Sequence, residues 1–260
     1  MINNFYHIFI DLDFLGKDAS PRGLLVKEIE NYSYTLQPYE RFCSFASRKL
    51  SVPYIKKEFL WYLKGDKQDT SITEHASMWK NLINQDGSIN SNYGQYVFAD
   101  NQFDQVVDTL IKDKDSRRAV IMLLNKNHLF SDTKDVPCTY SMSFRIRENC
   151  LNMSVRMRSQ DAILGMGNDA PAFSFIHEMI YCVLKETYPE LKLGQYHHTA
   201  DSFHIYERHF QMLKDILDND IFDQMTSCPK ISGKAEVDFL RKLDFSSIPE
   251  NFLFVKWLTM

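Results

Sequence analysis

The stretch from Val136 to Leu184 limits most tightly what this chain can fold into. Tyr140 to Ile146 and Leu151 to Met157 have the alternation and residue types of two strands joined at Arg147-Glu148-Asn149. The apolar run from Phe173 to Leu184 has the length of a buried helix. Pro137-Cys138 stands before the first strand; Arg158-Ser159-Gln160-Asp161 and Gly167-Asn168-Asp169 lie between the second strand and the helix. Strands and a buried helix need a large core. With 260 residues, 44% hydrophobic and 13% aromatic, the chain can supply one, and a single domain spanning 1–260 is expected.

Other classes are disfavoured by composition. A net charge of -4 gives no general electrostatic reason to bind DNA or RNA. No run approaches the roughly 20 apolar residues of a membrane span. The opening MINNFYHIFIDLDFLGKD lacks the basic region and small-residue cleavage site of a secretory signal, so a cytoplasmic protein is expected. Five cysteines, Cys43, Cys138, Cys150, Cys182 and Cys228, are widely spaced without a CxxC, which predicts neither a disulfide framework nor a metal site.

Elsewhere the pattern predicts strands over Leu24 to Phe45 with a turn at Pro38, and a helix from Pro53 ended by Gly65. A shorter helix is expected over Ile72 to Leu82, another over Phe103 to Lys112, and a strand over Ala119 to Leu124. Asn125 to Asp135 reads as loop, Gly194 to Ile205 as strand-like and Tyr206 to Ile216 as helix. Phe5 to Leu15 is apolar but interrupted by Asp11 and Asp13, and receives no assignment; beyond Asp218 the pattern weakens.

Several residues have two readings. Cys138, at a loop-to-strand junction, is either a nucleophile or a small buried hydrophobe, the commoner fate of a free cysteine. Arg117-Arg118 and Arg158-Ser159 can grip a phosphate through forked donors or serve in surface ion pairs. His204 and Tyr206, two apart on a strand, share a face and can offer donors to a sugar hydroxyl or form a half-buried aromatic pair.

Taken in order, these pieces from Glu58 to Tyr206 resemble thymidylate synthase. Lys57-Glu58-Phe59-Leu60-Trp61-Tyr62-Leu63-Lys64-Gly65 resembles the helix with that family's catalytic glutamate, and Trp79, Gly87 and Tyr93-Gly94 follow at its spacing. Ser116-Arg117-Arg118, Pro137-Cys138, Arg158-Ser159-Gln160-Asp161 with Leu164-Gly165, and His204-Ile205-Tyr206 resemble its remaining motifs. The resemblance implies an α+β thymidylate synthase fold, a mixed sheet packed with helices, and a homodimer through the sheet in which Arg117 and Arg118 reach across the interface. It implies Cys138 as nucleophile, Glu58 as general acid-base, and Tyr93 and Asp161 ordering water. Arg22, Arg117, Arg118, Arg158 and Ser159 would bind the phosphate of a pyrimidine nucleoside monophosphate, and His204 and Tyr206 its sugar. Trp79 and Asp161 would meet 5,10-methylenetetrahydrofolate, the implied co-substrate; no metal is implied.

Departures from that pattern point to the base. The asparagine that reads uracil in thymidylate synthase is here Asp169, and Asn168-Asp169 resembles the corresponding pair of phage deoxycytidylate hydroxymethylases. An ionised carboxylate accepts from the cytosine amino group but opposes uracil O4, a mismatch of order 1–3 kcal/mol. A one-residue slip to Asn168 would restore an asparagine reader. Leu82 and Thr139 replace a tryptophan and a histidine of thymidylate synthase, and the chain ends Val255-Lys256-Trp257-Leu258-Thr259-Met260 in place of the family's closing tail. The expected reaction is folate-dependent C5 hydroxymethylation of a cytidine monophosphate, dCMP ahead of CMP. Thymidylate synthesis, dUMP hydroxymethylation and a non-catalytic nucleotide or RNA binder are the alternatives.

Overall fold

In the computed structural model, which describes residues 4–130, 132–220 and 226–260, one mixed sheet is packed with helices. The elements in order are α1 (Asn4–Leu15), β1 (Lys17–Ala19), β2 (Val26–Leu36), α2 (Val52–Lys64), α3 (Gln102–Lys112), β3 (Val120–Met122), α4 (Lys126–Phe130), β4 (Thr139–Arg147), β5 (Cys150–Met157), β6 (Gln160–Asp161), α5 (Leu164–Leu184), β7 (Lys192–Tyr206), α6 (Phe210–Asn219), α7 (Lys234–Lys242) and α8 (Leu253–Thr259). The strand order is β1-β2-β7-β5-β4-β3, with β6 also on β7. β5 and β6 run parallel to β7, and the other neighbours are antiparallel.

The strands expected over Tyr140 to Ile146, Leu151 to Met157 and Gly194 to Ile205, the buried helix and the Gly65 stop are present, with physically informative differences. Gly65 takes a left-handed φ of 62° after α2, whose N-terminus is capped by Ser51 accepting from the Tyr54 amide at 3.3 Å. Glu148 and Asn149, at φ 51° and 56°, make the tight turn between β4 and β5. The unassigned opening is α1, buried through Phe5, Ile8, Phe9 and Leu12 at helical spacing. Its Asp11 and Asp13 are matched by the Tyr32 hydroxyl at 2.7 Å and Lys27 at 3.3 Å.

The two strands expected around Pro38 are corrected to one. After β2 the chain from Gln37 to Phe45 has no regular structure, yet Arg41 to Phe45 are all buried. Arg41 reaches Glu178 of α5 at 2.9 Å, both side chains at most 2% exposed, so this loop enters the core by carrying its own ion pair. The expected helix over Ile72 to Leu82 is instead two 3₁₀ turns, Ser71–Glu74 and Ser77–Leu82. The loop expected over Asn125 to Asp135 includes α4.

α5 starts at Leu164, well before the apolar run, and tolerates Pro171 inside it. Asp161 Oδ1 accepts from the amides of Ile163 and Leu164 at 2.7 and 2.8 Å, which satisfies the exposed end of that helix. The weak pattern after Asp218 hides α7 and α8. In α8, Phe254 and Trp257 pack around Phe175 with ring centroids 5.0 and 5.9 Å away, so the atypical end belongs to the core behind α5.

One face of the sheet meets the helices; Phe144 of β4, for example, lies 6.2 Å from His177 of α5. The opposite face is a polar ladder, with Ser33 to Thr199 at 2.9 Å, Thr35 to His197 at 3.0 Å and Arg145 to Ser154 at 2.8 Å.

Candidate active site

A break in the sheet assembles the site. β5 pairs with β7 up to Met157 opposite Ala200, and β6 rejoins the same strand with Gln160 and Asp161 opposite Phe203 and His204. Arg158 and Ser159 occupy the gap. The Arg158 amide donates to Cys138 O at 2.8 Å, tying the break to the residue before β4.

Around Cys138 the geometry is specific. The Arg158 guanidinium donates to Pro137 O at 3.1 Å and Val136 O at 2.7 Å, and its Nη2 lies 3.5 Å from Cys138 Sγ. The positive charges of Arg158 and Arg22 draw the thiol pKa down, but burial, with the negative charges of Asp169 and Asp135, outweighs them and leaves it raised. Arg22 reaches this region from an exposed left-handed turn at φ 55°. The Tyr93 hydroxyl accepts from the Thr139 amide at 3.3 Å. Tyr93 is seated there because Gly94 touches α2: a Cβ at Gly94 would lie 1.6 Å from Tyr62 O.

A carboxyl cluster lies on the other side. Glu58 of α2 is 4% exposed; its Oε1 accepts from the Tyr54 hydroxyl at 2.7 Å and its Oε2 has no partner among the described residues. Burial raises its pKa from the ordinary 4.5 to about 7, against the pull of the Tyr54 bond. Asp169 of α5 is held well above the normal carboxyl range by burial first, then by Glu58 and Asp161. Ionised, it would raise the pKa of Tyr34, Tyr54, Tyr62, Tyr93, Tyr196 and Cys138, so this carboxyl lies within electrostatic reach of each of them. Asn168 lies one helical step of about 100° away. The buried Gln160 amide faces Asp169, and its hydrogen bond to that carboxyl opposes the upward shift.

His204 sits between β2 and β6, opposite Glu28 and Asp161. Its Nδ1 is 3.3 Å from Ser202 Oγ, which donates to Glu28, and the Tyr206 ring stands edge-on at 5.1 Å. Trp79 is 8% exposed, with its ring 5.3 Å from Trp61. Arg117 and Arg118 are exposed before β3, and among the described residues neither guanidinium has a hydrogen bond or ion pair; they stand apart from the cluster of their own chain.

Sequence reasoning missed four contributors. Tyr54 lies one helical turn before Glu58, a spacing that was readable. Arg48 donates to Ile163 O at 2.6 Å and lies where a Gly167 Cβ would be, 1.7 Å from its Nη2, so that glycine admits a guanidinium beside Asn168-Asp169. Asp135 accepts from Ser91 N and Oγ, both at 2.6 Å, pinning the Tyr93 loop to the Cys138 loop; Tyr34 donates to Gln160 Oε1 at 3.1 Å. The last three, Arg48, Asp135 and Tyr34, depend on contacts between segments distant in sequence and had no local signal.

A half-buried thiol faced by arginines, opposite buried carboxyls, is a site for nucleophilic and acid-base chemistry on an anionic substrate. The family model for thymidylate synthase matches residues 17–248, and the chain belongs to the thymidylate synthase family. It is 28% identical over 174 residues to the deoxycytidylate 5-hydroxymethyltransferase of Enterobacteria phage T4, covering 63% of this chain and 71% of that protein. It is 27% identical over 209 residues to a thymidylate synthase of Buchnera aphidicola, covering 76% and 75%. It is 28% identical over 208 residues to the deoxyuridylate hydroxymethyltransferase of Bacillus phage SP01, covering 74% and 53%. The family transfers one-carbon groups to nucleoside monophosphates.

Proposed function

We propose that the protein hydroxymethylates a cytidine monophosphate at C5, with dCMP as preferred substrate and 5,10-methylenetetrahydrofolate as co-substrate. The observation that carries this reading is the Asp169 carboxyl beside Glu58, Asp161 and Gln160, at a position that resembles that of the family's base-reading asparagine. A neutral acid there donates its O–H to cytosine N3 and accepts from the 4-amino group; an ionised one accepts from the amino group and favours an N3-protonated base.

The Cys138 thiol loses its proton to water in the cleft, the resulting thiolate adds to C6, and C5 becomes nucleophilic toward the one-carbon unit. The folate supplies that unit at the oxidation level of formaldehyde. Glu58, with a pKa near the working pH, takes the C5 proton and returns protons through water to the departing amine. Water ordered by Tyr93 and Asp161 adds to the transferred carbon, and the C6–S bond breaks to release the thiolate. Arg22, Arg158 and Ser159 hold the phosphate, and His204 and Tyr206 the sugar. The Glu58 Oε2, without a partner among the described residues, fits a site whose polar groups are completed by substrate and water. Arg117 and Arg118 act on the phosphate of a second copy, the two copies meeting through the polar face of the sheet.

A neutral Asp169 also favours a second reading, dUMP, because with its proton on the other oxygen it matches uracil. Incubating the protein with dCMP, CMP or dUMP and the folate, then weighing the nucleotides, separates the readings. A dCMP product heavier by one CH2O unit supports the proposal. A dUMP product heavier by CH2, with dihydrofolate appearing, overturns it in favour of thymidylate synthesis.

A further inference from the structure

Glu58 is the terminus of a three-residue hydrogen-bonded relay. The Trp79 indole Nε1 donates to the Tyr54 hydroxyl at 2.9 Å, and that hydroxyl donates to Glu58 Oε1 at 2.7 Å. The direction is set by chemistry: an indole N–H only donates, so the Tyr54 oxygen is its acceptor and the phenolic proton is left for Glu58. A donor bound to the phenol oxygen polarises its O–H and strengthens the second bond. Both ends of the relay are shielded from solvent, Trp79 being 8% and Glu58 4% exposed, and Tyr54 between them is half-buried. Glu58 Oε2 faces inward without a partner, so Tyr54 is the sole side chain among the described residues that fixes this carboxyl.

We infer that Tyr54 is a positioning residue that orients the Glu58 carboxyl and couples its protonation to the placement of the Trp79 indole. The inference rests on reading Glu58 as the acid-base, and it deepens that reading. Tyr54 spans one turn of α2, while Trp79 belongs to a separate 3₁₀ turn, Ser77–Leu82. Any displacement of that turn, for instance by a flat ring packing on Trp79, therefore lengthens the first bond and weakens the donor at Glu58. The other titratable groups in electrostatic contact with the pair are Asp169 from α5, which acts on Tyr54 and is acted on by Glu58, and Tyr62 from the same helix, on which both Glu58 and Tyr54 act. Neither is part of the relay.

The test is a double-mutant cycle read on Glu58 itself, by infrared titration of its carboxyl band in the substrate-free protein with Glu58→Gln as the subtraction control. This readout does not depend on which nucleotide is turned over, so failure of the relay and failure of the proposed reaction are distinguishable. Tyr54→Phe removes the bond that favours the ionised form, and its midpoint moves up by about 0.5–1 pH unit. Trp79→Phe, which keeps a ring but loses the N–H, moves it in the same direction by a smaller amount. In the Tyr54→Phe background Trp79→Phe adds nothing, because both act through one hydroxyl. An unmoved midpoint in Tyr54→Phe, or shifts that add in the double variant, overturns the inference. Should Tyr54→Phe not fold, Trp79→Phe decides alone: an upward shift supports the relay and an unmoved midpoint overturns it.

Discussion

The Arg158 guanidinium lies 3.5 Å from the Cys138 sulfur while two of its nitrogens hold the carbonyls of Val136 and Pro137. One side chain thus shapes the loop that presents the thiol and supplies the charge that eases its ionisation. In Arg158→Gln the larger of the two charges that lower the thiol pKa is gone, and only Arg22 is left to oppose burial. Alkylation of Cys138 at a fixed pH of about 8 is expected to slow about three- to tenfold, measured by mass spectrometry of the labelled peptide. A rate equal to that of the unaltered protein would show that Arg158 does not govern the thiol.

Glu58 is expected to cost stability as well as to serve chemistry. Its pKa is about 7 in the folded chain against 4.5 when exposed, so between those values the unfolded state loses its proton first. Fewer protons on the unfolded state means that stability falls as pH rises through this window. Glu58→Gln removes this penalty, and urea unfolding should show it more stable than the unaltered protein at pH 8 by up to about 3 kcal/mol, with little difference at pH 4 and with turnover abolished.

Base choice should follow the Asp169 proton. Asp169→Asn is expected to change the ratio of dCMP to dUMP turnover toward dUMP by about tenfold or more, measured by product mass. In the unaltered protein, discrimination against dUMP should grow with pH, since the raised carboxyl ionises late and then opposes O4. Equal discrimination across the pH range would separate base choice from this carboxyl.

The Arg41 and Glu178 pair tests the loop that replaced the expected second strand. Glu178 also accepts from the Ile231 amide at 3.0 Å, so Glu178→Leu strands a buried guanidinium and a buried N–H. A loss of about 3–5 kcal/mol in chemical denaturation is expected.

What the sequence determined by itself was local. Alternation gave β4, β5 and β7, the helical spacing before Gly65 gave α2, and the chemistry-bearing pairs were recognisable by type and order. It misread Gln37 to Phe45, where Arg41 is buried only because Glu178 meets it from another element, and the start of α5, where Asp161 completes the helix end across Gly165 and Gly167. Tertiary structure alone decided which way the cluster titrates. Cys138 has arginines beside it and is still raised, because burial depends on everything packed around the thiol. It also decided what surrounds Asp169: Glu58 of α2 and Gln160 and Asp161 of β6 act on its carboxyl only because the fold brings those elements to α5.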